Sequence, residues 1–215
     1  RVLFRSITVD GGTVITVNQT AANLANTGTA TTAGAVDING NASTTTVTVT
    51  DTAAQTGVTA TTSVVGTSGR VNGAVAIDDL QAASTTVAGS IATVTVDSGA
   101  AVTVNSGALT TLNASGTMTS LNAGTLGALT TAANTTLALN LTGLTTSGAV
   151  TIDTDITTLN VASTTNDSTI ASLVASGATT VNVSGDKLVT LTADTLTAVT
   201  AINVTNTAGA SFGTA

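Results

Sequence analysis

Residues 102–113 read Val-Thr-Val-Asn-Ser-Gly-Ala-Leu-Thr-Thr-Leu-Asn, and parts of this stretch recur along the chain. Apolar and polar residues alternate within it, which indicates β-strands with one buried face. Its closing pair, an apolar residue followed by Asn, recurs in steps of 9, 18, 20, 22 and 21 residues, at Asn113, Asn122, Asn140, Asn160, Asn182 and Asn203. A period near 20 predicts a parallel β-solenoid, in which the strands of each coil stack on those of the next.

We expect this solenoid to occupy residues 91–215, with the recurring Asn side chains stacked from coil to coil as an amide ladder. Residues 7–90 lack the period, although Gly-Ala-Val-x-Ile-Asp/Asn occurs there at 34–39 and 73–78, and again at 148–153. The 39-residue offset between the first two copies suits either a β-sandwich or an irregular start to the solenoid. The predicted fold class is therefore all-β, a β-solenoid with a β-rich N-terminal part for which both alternatives stay open.

The composition excludes most chemistry. Thr supplies 53 and Ala 36 of the 215 residues, while Cys, His, Glu, Pro, Trp and Tyr do not occur. Without His, Cys and Glu the chain lacks the usual general bases, thiol nucleophiles and zinc ligands, and it can form no disulfide. We therefore predict that it is not an enzyme. A mean hydropathy of +0.47 and the alternating β-branched residues argue against disorder.

The charge is strongly negative. The formal net charge is −7 and the isoelectric point is near 4.1, so we expect no nucleic-acid partner, because neutralising phosphates requires Lys and Arg. The sequence contains no run of about 18 apolar residues, so we predict no membrane-spanning helix. Residues 1–6 match the translation of a common sequencing adapter, and we interpret them as an artefact rather than a genuine first strand. Setting them aside leaves Arg70 and Lys187 against 11 Asp, a net charge of −9.

Two close pairs of carboxylates, Asp78 with Asp79 and Asp153 with Asp155, are the candidate metal ligands. Calcium prefers several oxygen ligands, which paired Asp residues and turn carbonyls can supply. The alternative is that these residues are solvated turn residues. Asp167 is a weaker candidate. The spacing of Asp153 and Asp155 would also fit a glycosidase or a lyase, but no neighbouring base or arginine supports that interpretation.

Threonine residues alternate along 44–50, which places hydroxyl groups along one face of a strand. Such arrays order water in some antifreeze proteins when they repeat in register on successive coils. The sequence shows no such repetition, so we interpret these residues as good β-formers on an exposed face.

The stretches 102–113, 156–161 and 186–192 together resemble a proteobacterial family of surface-layer (S-layer) and large RTX-type surface proteins, which are rich in Thr, Ala and Gly. The resemblance implies an extracellular location on the bacterial cell surface, secretion by a type I system and a need for calcium as cofactor. The Gly-Gly-x-Gly-x-Asp calcium repeats of RTX proteins are absent, so the resemblance assigns calcium to no particular residue. Since the sequence does not begin with Met, we expect a fragment.

Two functions follow from this resemblance. The chain is a building block of a self-assembling surface layer whose partners are neighbouring copies of itself, or it is a stalk that spaces the recognition domain of a large adhesin from the cell. In either case regions outside the given sequence are expected to attach the protein to cell-surface polysaccharide.

Overall fold

A computed structural model describes residues 6–20, 33–52, 72–124 and 134–213. Within these ranges the chain consists of strands joined by turns, and it has no helix. The strands are β1 (Ile7–Asp10), β2 (Val14–Thr20), β3 (Val36–Asn39), β4 (Thr46–Thr52), β5 (Val75–Asp78), β6 (Thr93–Asn105), β7 (Thr111–Ala123), β8 (Thr136–Thr146), β9 (Ala149–Ile152), β10 (Thr158–Ser163), β11 (Ser168–Ile170), β12 (Ser172–Val174), β13 (Thr180–Gly185), β14 (Val189–Leu191), β15 (Asp194–Thr195), β16 (Ala201–Val204) and β17 (Ala210–Ser211).

These strands stack into three parallel ladders, which are the faces of one solenoid. The first face joins β2, β4, β6, β7, β8, β10, β13 and β16 in that order. The second face joins β1, β3, β5, β6, β7, β9, β12 and β15. The third face joins the ends of β7 and β8 to β11, β14 and β17. The predicted all-β solenoid is therefore confirmed.

The core consists of columns of aliphatic side chains that point inward from successive coils. On the first face one column contains, in order, Ile15, Val47, Val94, Leu112, Leu139, Val161, Val183 and Val204. All but the last of these are buried in a single apolar cluster. Each fully buried Val, Leu or Ile contributes about 1.5–3 kcal/mol to stability, so the fold rests on many equal, modest contributions.

The strands of residues 7–90 belong to the same solenoid. β4 and β5 both pair in parallel with β6, so the ladders run without a break past residue 90. A sandwich would instead pair neighbouring strands antiparallel. Of the two alternatives for this part of the chain, the described strands form the irregular start of the solenoid. The repeated motif at 34–39 and 73–78 marks one column position of the second face, where Val36 pairs with Val75.

Coil length separates the two parts of the chain. The column that begins at Ile15 advances by 32 and 47 residues over its first two steps. The steps then become 18 and 27 residues, and the last three are 22, 22 and 21. The period near 20 is therefore a property of the later coils.

A left-handed residue marks the corner between the first and third faces. Ser98, Gly116 and Gly143 occupy this corner in three successive coils, with φ angles of 65°, 73° and 64°. At Gly116 an added Cβ would lie 2.1 Å from the Ser98 hydroxyl oxygen, so a substitution there would have to displace the Ser98 side chain as well as adopt a left-handed conformation.

Candidate functional site

Asparagine amides form a first stack along the outside of the first face. The Asn140 amide donates a hydrogen bond to the Asn113 carbonyl oxygen over 2.8 Å, and the Asn113 amide donates to the Thr95 hydroxyl over 2.9 Å. Strand geometry produces the stack, because each of these residues follows an inward aliphatic side chain and therefore points outward. The stack joins three successive coils.

A second stack continues through the later coils. The Asn203 amide donates to Asn182 over 2.8 Å, and the Asn182 amide donates to Asn160 over 2.7 Å. Asn160 lies opposite Ala138 and not opposite Asn140, so the second stack is offset from the first by two residues along the strand. The predicted amide ladder is confirmed, but as two separate stacks.

Threonine hydroxyls add a further ladder at the corner before the first face. The Oγ1 atoms of Thr157, Thr179 and Thr200 each donate to the backbone carbonyl of the Thr one coil earlier, over 3.3, 3.1 and 3.1 Å. These bonds, like the amide stacks, connect each coil to its neighbour. They leave the polar side chains of this surface bonded along the solenoid axis and do not direct them toward a common point.

Threonine columns do repeat in register, contrary to the expectation from the sequence. Thr46 lies opposite Thr93, and Thr48 lies opposite Thr95 and Thr16. The register could not be read from the sequence, because these coils differ in length and the Thr residues therefore do not recur at a fixed spacing. Farther along the face the columns pass from Thr to Asn, and in the described ranges the regular Thr-x-Thr array covers two adjacent coils. We therefore do not assign an ice-binding surface.

The structure does not bring the carboxylates of Asp78 and Asp79 together. Asp78 lies on the outside of the second face in a column formed by Asp10, Asn39, Asp78 and Asn105. The Asn39 amide donates to Asp10 over 2.8 Å, and the Asn105 amide donates to Asp78. Carboxylates and amides thus alternate along the column, which gives each carboxylate a donor and keeps like charges from adjacent coils apart.

Asp79 is buried, with 4% of its surface exposed. Its Oδ2 atom accepts hydrogen bonds from the backbone NH groups of Ser90 and Ile91, both at 2.7 Å, and from the Ser106 hydroxyl at 3.1 Å. Its Oδ1 atom accepts from the Gln81 NH at 3.2 Å. Three of the four donors, at Gln81, Ser90 and Ile91, lie in the loop between β5 and β6, so Asp79 holds both ends of this loop. These NH and OH donors occupy the carboxylate oxygens that a cation would have to coordinate. The arrangement therefore favours a structural role for Asp79.

Asp153 and Asp155 lie together in the turn after β9, where the Asp155 NH donates to Asp153 Oδ1 over 3.0 Å. Both line a small cleft, together with Asn134 and Ser106. Burial raises the pKa of the Asp153 carboxyl above its usual value, the Asp155 NH lowers it, and the Asp155 charge raises it. A cation bound beside these carboxyl groups would stabilise their ionised forms, because a nearby opposite charge favours the ionised form.

The other predicted ligand, Asp167, accepts a hydrogen bond from the Leu188 NH over 2.9 Å and so connects two coils. In the parts of the chain that the structure describes, no three His, Cys, Asp or Glu side chains are grouped so as to hold a metal ion. Calcium at Asp153 and Asp155 stays a prediction, and its remaining ligands would have to be amide, hydroxyl or carbonyl oxygens.

A buried carboxyl group that the sequence analysis did not select lies inside the first face. Asp51 is fully buried, and its Oδ2 accepts from the Gly73 NH over 2.8 Å. Among the residues that the structure describes, its Oδ1 atom has no hydrogen-bond partner, and neither has Oε1 of Gln19, which lies opposite it one coil earlier. Burial raises the pKa of Asp51. The alternation of residues along the strand could have identified Asp51 as buried. Val47 and Val49 point inward, and residue 51 lies on the same side of the strand.

Comparison with known proteins identifies no family: no protein-family model matches the chain, and no curated protein matches it. Within the described ranges no helix has the length and apolar character required to cross a bilayer.

Proposed function

We propose that this chain is a structural segment of a secreted bacterial cell-surface protein and that it self-assembles as a building block of a surface layer. The observation that carries the proposal is the direction of its polar contacts. The outward amides and hydroxyls of the first face bond from coil to coil, as in the pairs Asn203–Asn182 and Thr200–Thr179. Such a surface builds and stiffens a scaffold, and it presents no convergent set of reactive groups.

The solenoid also suits assembly through its shape and surface chemistry. Eight strands stacked about 4.8 Å apart make the first face about 35 Å long. The outward residues of this face are small and mostly uncharged, with Asp97 as the only charged side chain among those described. Flat parallel faces of this kind can pack side by side at little cost in desolvated charge.

Calcium is the cofactor that we propose for assembly. The cleft of Asp153 and Asp155 supports this choice, since two carboxylates share one turn and burial raises the pKa of Asp153. A divalent cation bound there would neutralise both charges. In a chain with a formal net charge of −7, such neutralisation would also weaken the repulsion between copies.

Light scattering and negative-stain electron microscopy of the purified chain, with calcium and then with a chelator, test the proposal. We expect ordered sheets or arrays that dissolve when the chelator is added. A variant carrying both Asp153→Asn and Asp155→Asn should then assemble without calcium dependence, whereas Asp37→Asn serves as the control for loss of a charge elsewhere. A chain that stays monomeric in both conditions would overturn the proposal.

The second candidate function is a passive stalk in a large adhesin. The stacked faces favour it, because a solenoid separates its two ends by a fixed distance that grows by about 4.8 Å with each coil. Electron microscopy separates the two candidates. Two-dimensional arrays support the surface layer, while isolated rods that do not associate laterally support the stalk.

A further inference from the structure

The charged side chains are distributed unevenly over the faces of the solenoid. Asp10, Asp37 and Asp78 point outward from the second face. Among the described residues that point outward from the first face, Asp97 alone is charged. The chain carries a formal net charge of −7, so two copies that approach through their second faces bring like charges together. The first face is the side of the solenoid on which two acidic chains can meet with little repulsion.

Small side chains make the first face flat. Its central outward column consists, in order, of Thr16, Thr48, Thr95, Asn113, Asn140, Ala162 and Ser184. No side chain in this column is larger than that of Asn, so none projects far beyond its neighbours. The column runs along the side of the solenoid, and a second flat sheet can approach it along its whole length, as in the paired sheets of a dry β interface.

The amides of the first face keep their hydrogen bonds when the face is covered. The Asn140 amide donates to Asn113, the Asn113 amide donates to Thr95, and the Asn182 amide donates to Asn160. All of these bonds run between coils of one copy. Burying a polar group is expensive mainly when the group loses its hydrogen-bond partners, so covering this face costs less than covering unpaired amides.

The area of the first face is sufficient for a stable contact. Its eight strands span about 35 Å along the solenoid. Across the face, the five residues Thr46–Thr50 pair with Thr93–Asp97, which gives a width of about 16 Å. Covering one such face on each of two copies removes about 1,100 Å² from solvent, which exceeds the area of about 1,000 Å² that a specific protein interface needs.

We infer that two copies of this chain pack together through their first faces, related by a two-fold axis parallel to the solenoid axis. This contact rests on the proposed self-assembly and specifies one of its interfaces. All copies in a surface layer have the same orientation relative to the cell, so the two solenoids run in the same direction. The two-fold axis satisfies this condition and places each coil opposite the same coil of the second copy.

The symmetry specifies which side chains meet. Residues of the central column lie on the axis, so Thr48 faces Thr48 of the second copy. The two flanking columns exchange places, so Asp97 of one copy faces Thr93 of the other. A threonine hydroxyl can donate a hydrogen bond to a carboxylate, which gives the one charged residue of the face a partner across the contact.

Sedimentation of the full chain in the presence of a chelator tests the contact, because the dimer does not depend on calcium. We expect a dimer whose dissociation constant rises at least about 10-fold in Thr48→Lys, which places two like charges opposite each other. Thr103→Lys is the matched control. Thr103 is also a partly buried, outward Thr, but it lies on the second face between Ala76 and Asn122. This variant should dimerise as the wild-type chain does, and both variants should keep the wild-type circular dichroism spectrum.

A mixture of two variants tests the symmetry. Thr48→Lys and Thr48→Asp should each be monomeric, and mixing them in equal amounts should restore a dimer, because the Lys of one chain then faces the Asp of the other. Failure of the mixture to associate overturns the two-fold arrangement, and equal weakening by Thr48→Lys and Thr103→Lys overturns the contact. A wild-type chain that is monomeric in chelator but forms arrays with calcium also overturns the contact, while the proposed function stands. A chain that is monomeric in both conditions removes both.

Discussion

The long early coils and the short later coils are held in place by different means. In the early part, where the steps are 32 and 47 residues, single buried carboxylates fix the backbone beside the long connections, as Asp51 does at Gly73 and Asp79 does at Ser90. In the later part, where the steps are 22, 22 and 21 residues, neutral amides and hydroxyls repeat the same small contact from coil to coil. Irregular geometry thus needs individual anchors, whereas regular geometry can distribute its stabilisation over many weak contacts.

Because of this difference, removing one buried carboxylate should reduce the free energy of unfolding far more than removing one hydrogen bond of an amide ladder. Asp79→Ala leaves the NH groups of Ser90 and Ile91 without their acceptor inside the protein. We expect a loss of about 4 kcal/mol in the free energy of unfolding, because several buried donors lose a charged partner at once. Urea denaturation followed by circular dichroism measures it.

The neighbouring residue provides the control for this first variant. Asp78→Asn removes the same charge one position earlier, but Asp78 is only half buried and accepts its hydrogen bond from the Asn105 amide on the outside of the second face. We expect a change below about 1 kcal/mol. Similar losses for the two variants would show that loss of charge, and not the anchoring of the loop, determines the effect.

A rung of the amide ladder should contribute less. Asn182 donates to Asn160 and accepts from Asn203, so Asn182→Ala removes two hydrogen bonds on a half-buried surface. We expect a loss of about 1 kcal/mol, and about half of that for Asn203→Ala, which removes one hydrogen bond of an exposed side chain. Thermal unfolding of the two variants beside the wild-type chain measures the ratio. A loss for Asn182→Ala as large as that for Asp79→Ala would contradict a stabilisation shared among many contacts.

The sequence correctly predicted the features that repeat at a regular spacing, but it did not predict the positions at which the spacing changes. Alternation and the recurring Asn correctly predicted a solenoid and an amide ladder, because both depend on residues a fixed number of positions apart. The irregular steps between the Asn residues have structural causes that spacing alone could not reveal. Asn122 pairs on the second face, opposite Thr103 and Thr151, and Asn160 is shifted by two residues against Asn140.

The candidate site shows the same division. Asp153 and Asp155 lie close together because they share a turn, so local sequence was enough to place them. Asp78 and Asp79 are just as close in sequence, but one lies on the outside of the second face and the other is buried beneath a loop. That separation depends on donors at Ser90 and Ser106, which reach Asp79 only through the packing of later segments. No sequence motif encodes such a contact.

The last effect that we predict has the opposite sign. The pKa of Asp51 is raised by burial, so the folded chain binds a proton at this residue more readily than the unfolded chain does. Its contribution to stability therefore falls as the pH rises from about 4, the ordinary Asp value, to the raised folded-state pKa, and the cost persists above it. Asp51→Asn keeps an acceptor for the Gly73 NH and adds a donor facing Gln19, so we expect a gain of about 1 kcal/mol at pH 7.

Unfolding midpoints between pH 4 and pH 7 test this prediction, with Asp37→Asn as the control that removes one charge from the outer side of the second face. The Asp51→Asn chain should lose less stability than the wild-type chain as the pH rises, while Asp37→Asn should keep the wild-type slope. A decrease in stability of Asp51→Asn at pH 7 would instead mean that the ionised carboxylate is needed at Gly73. Asp51 would then hold Gly73 through its charge and not only as a hydrogen-bond acceptor, and the early coils would depend on buried charge throughout.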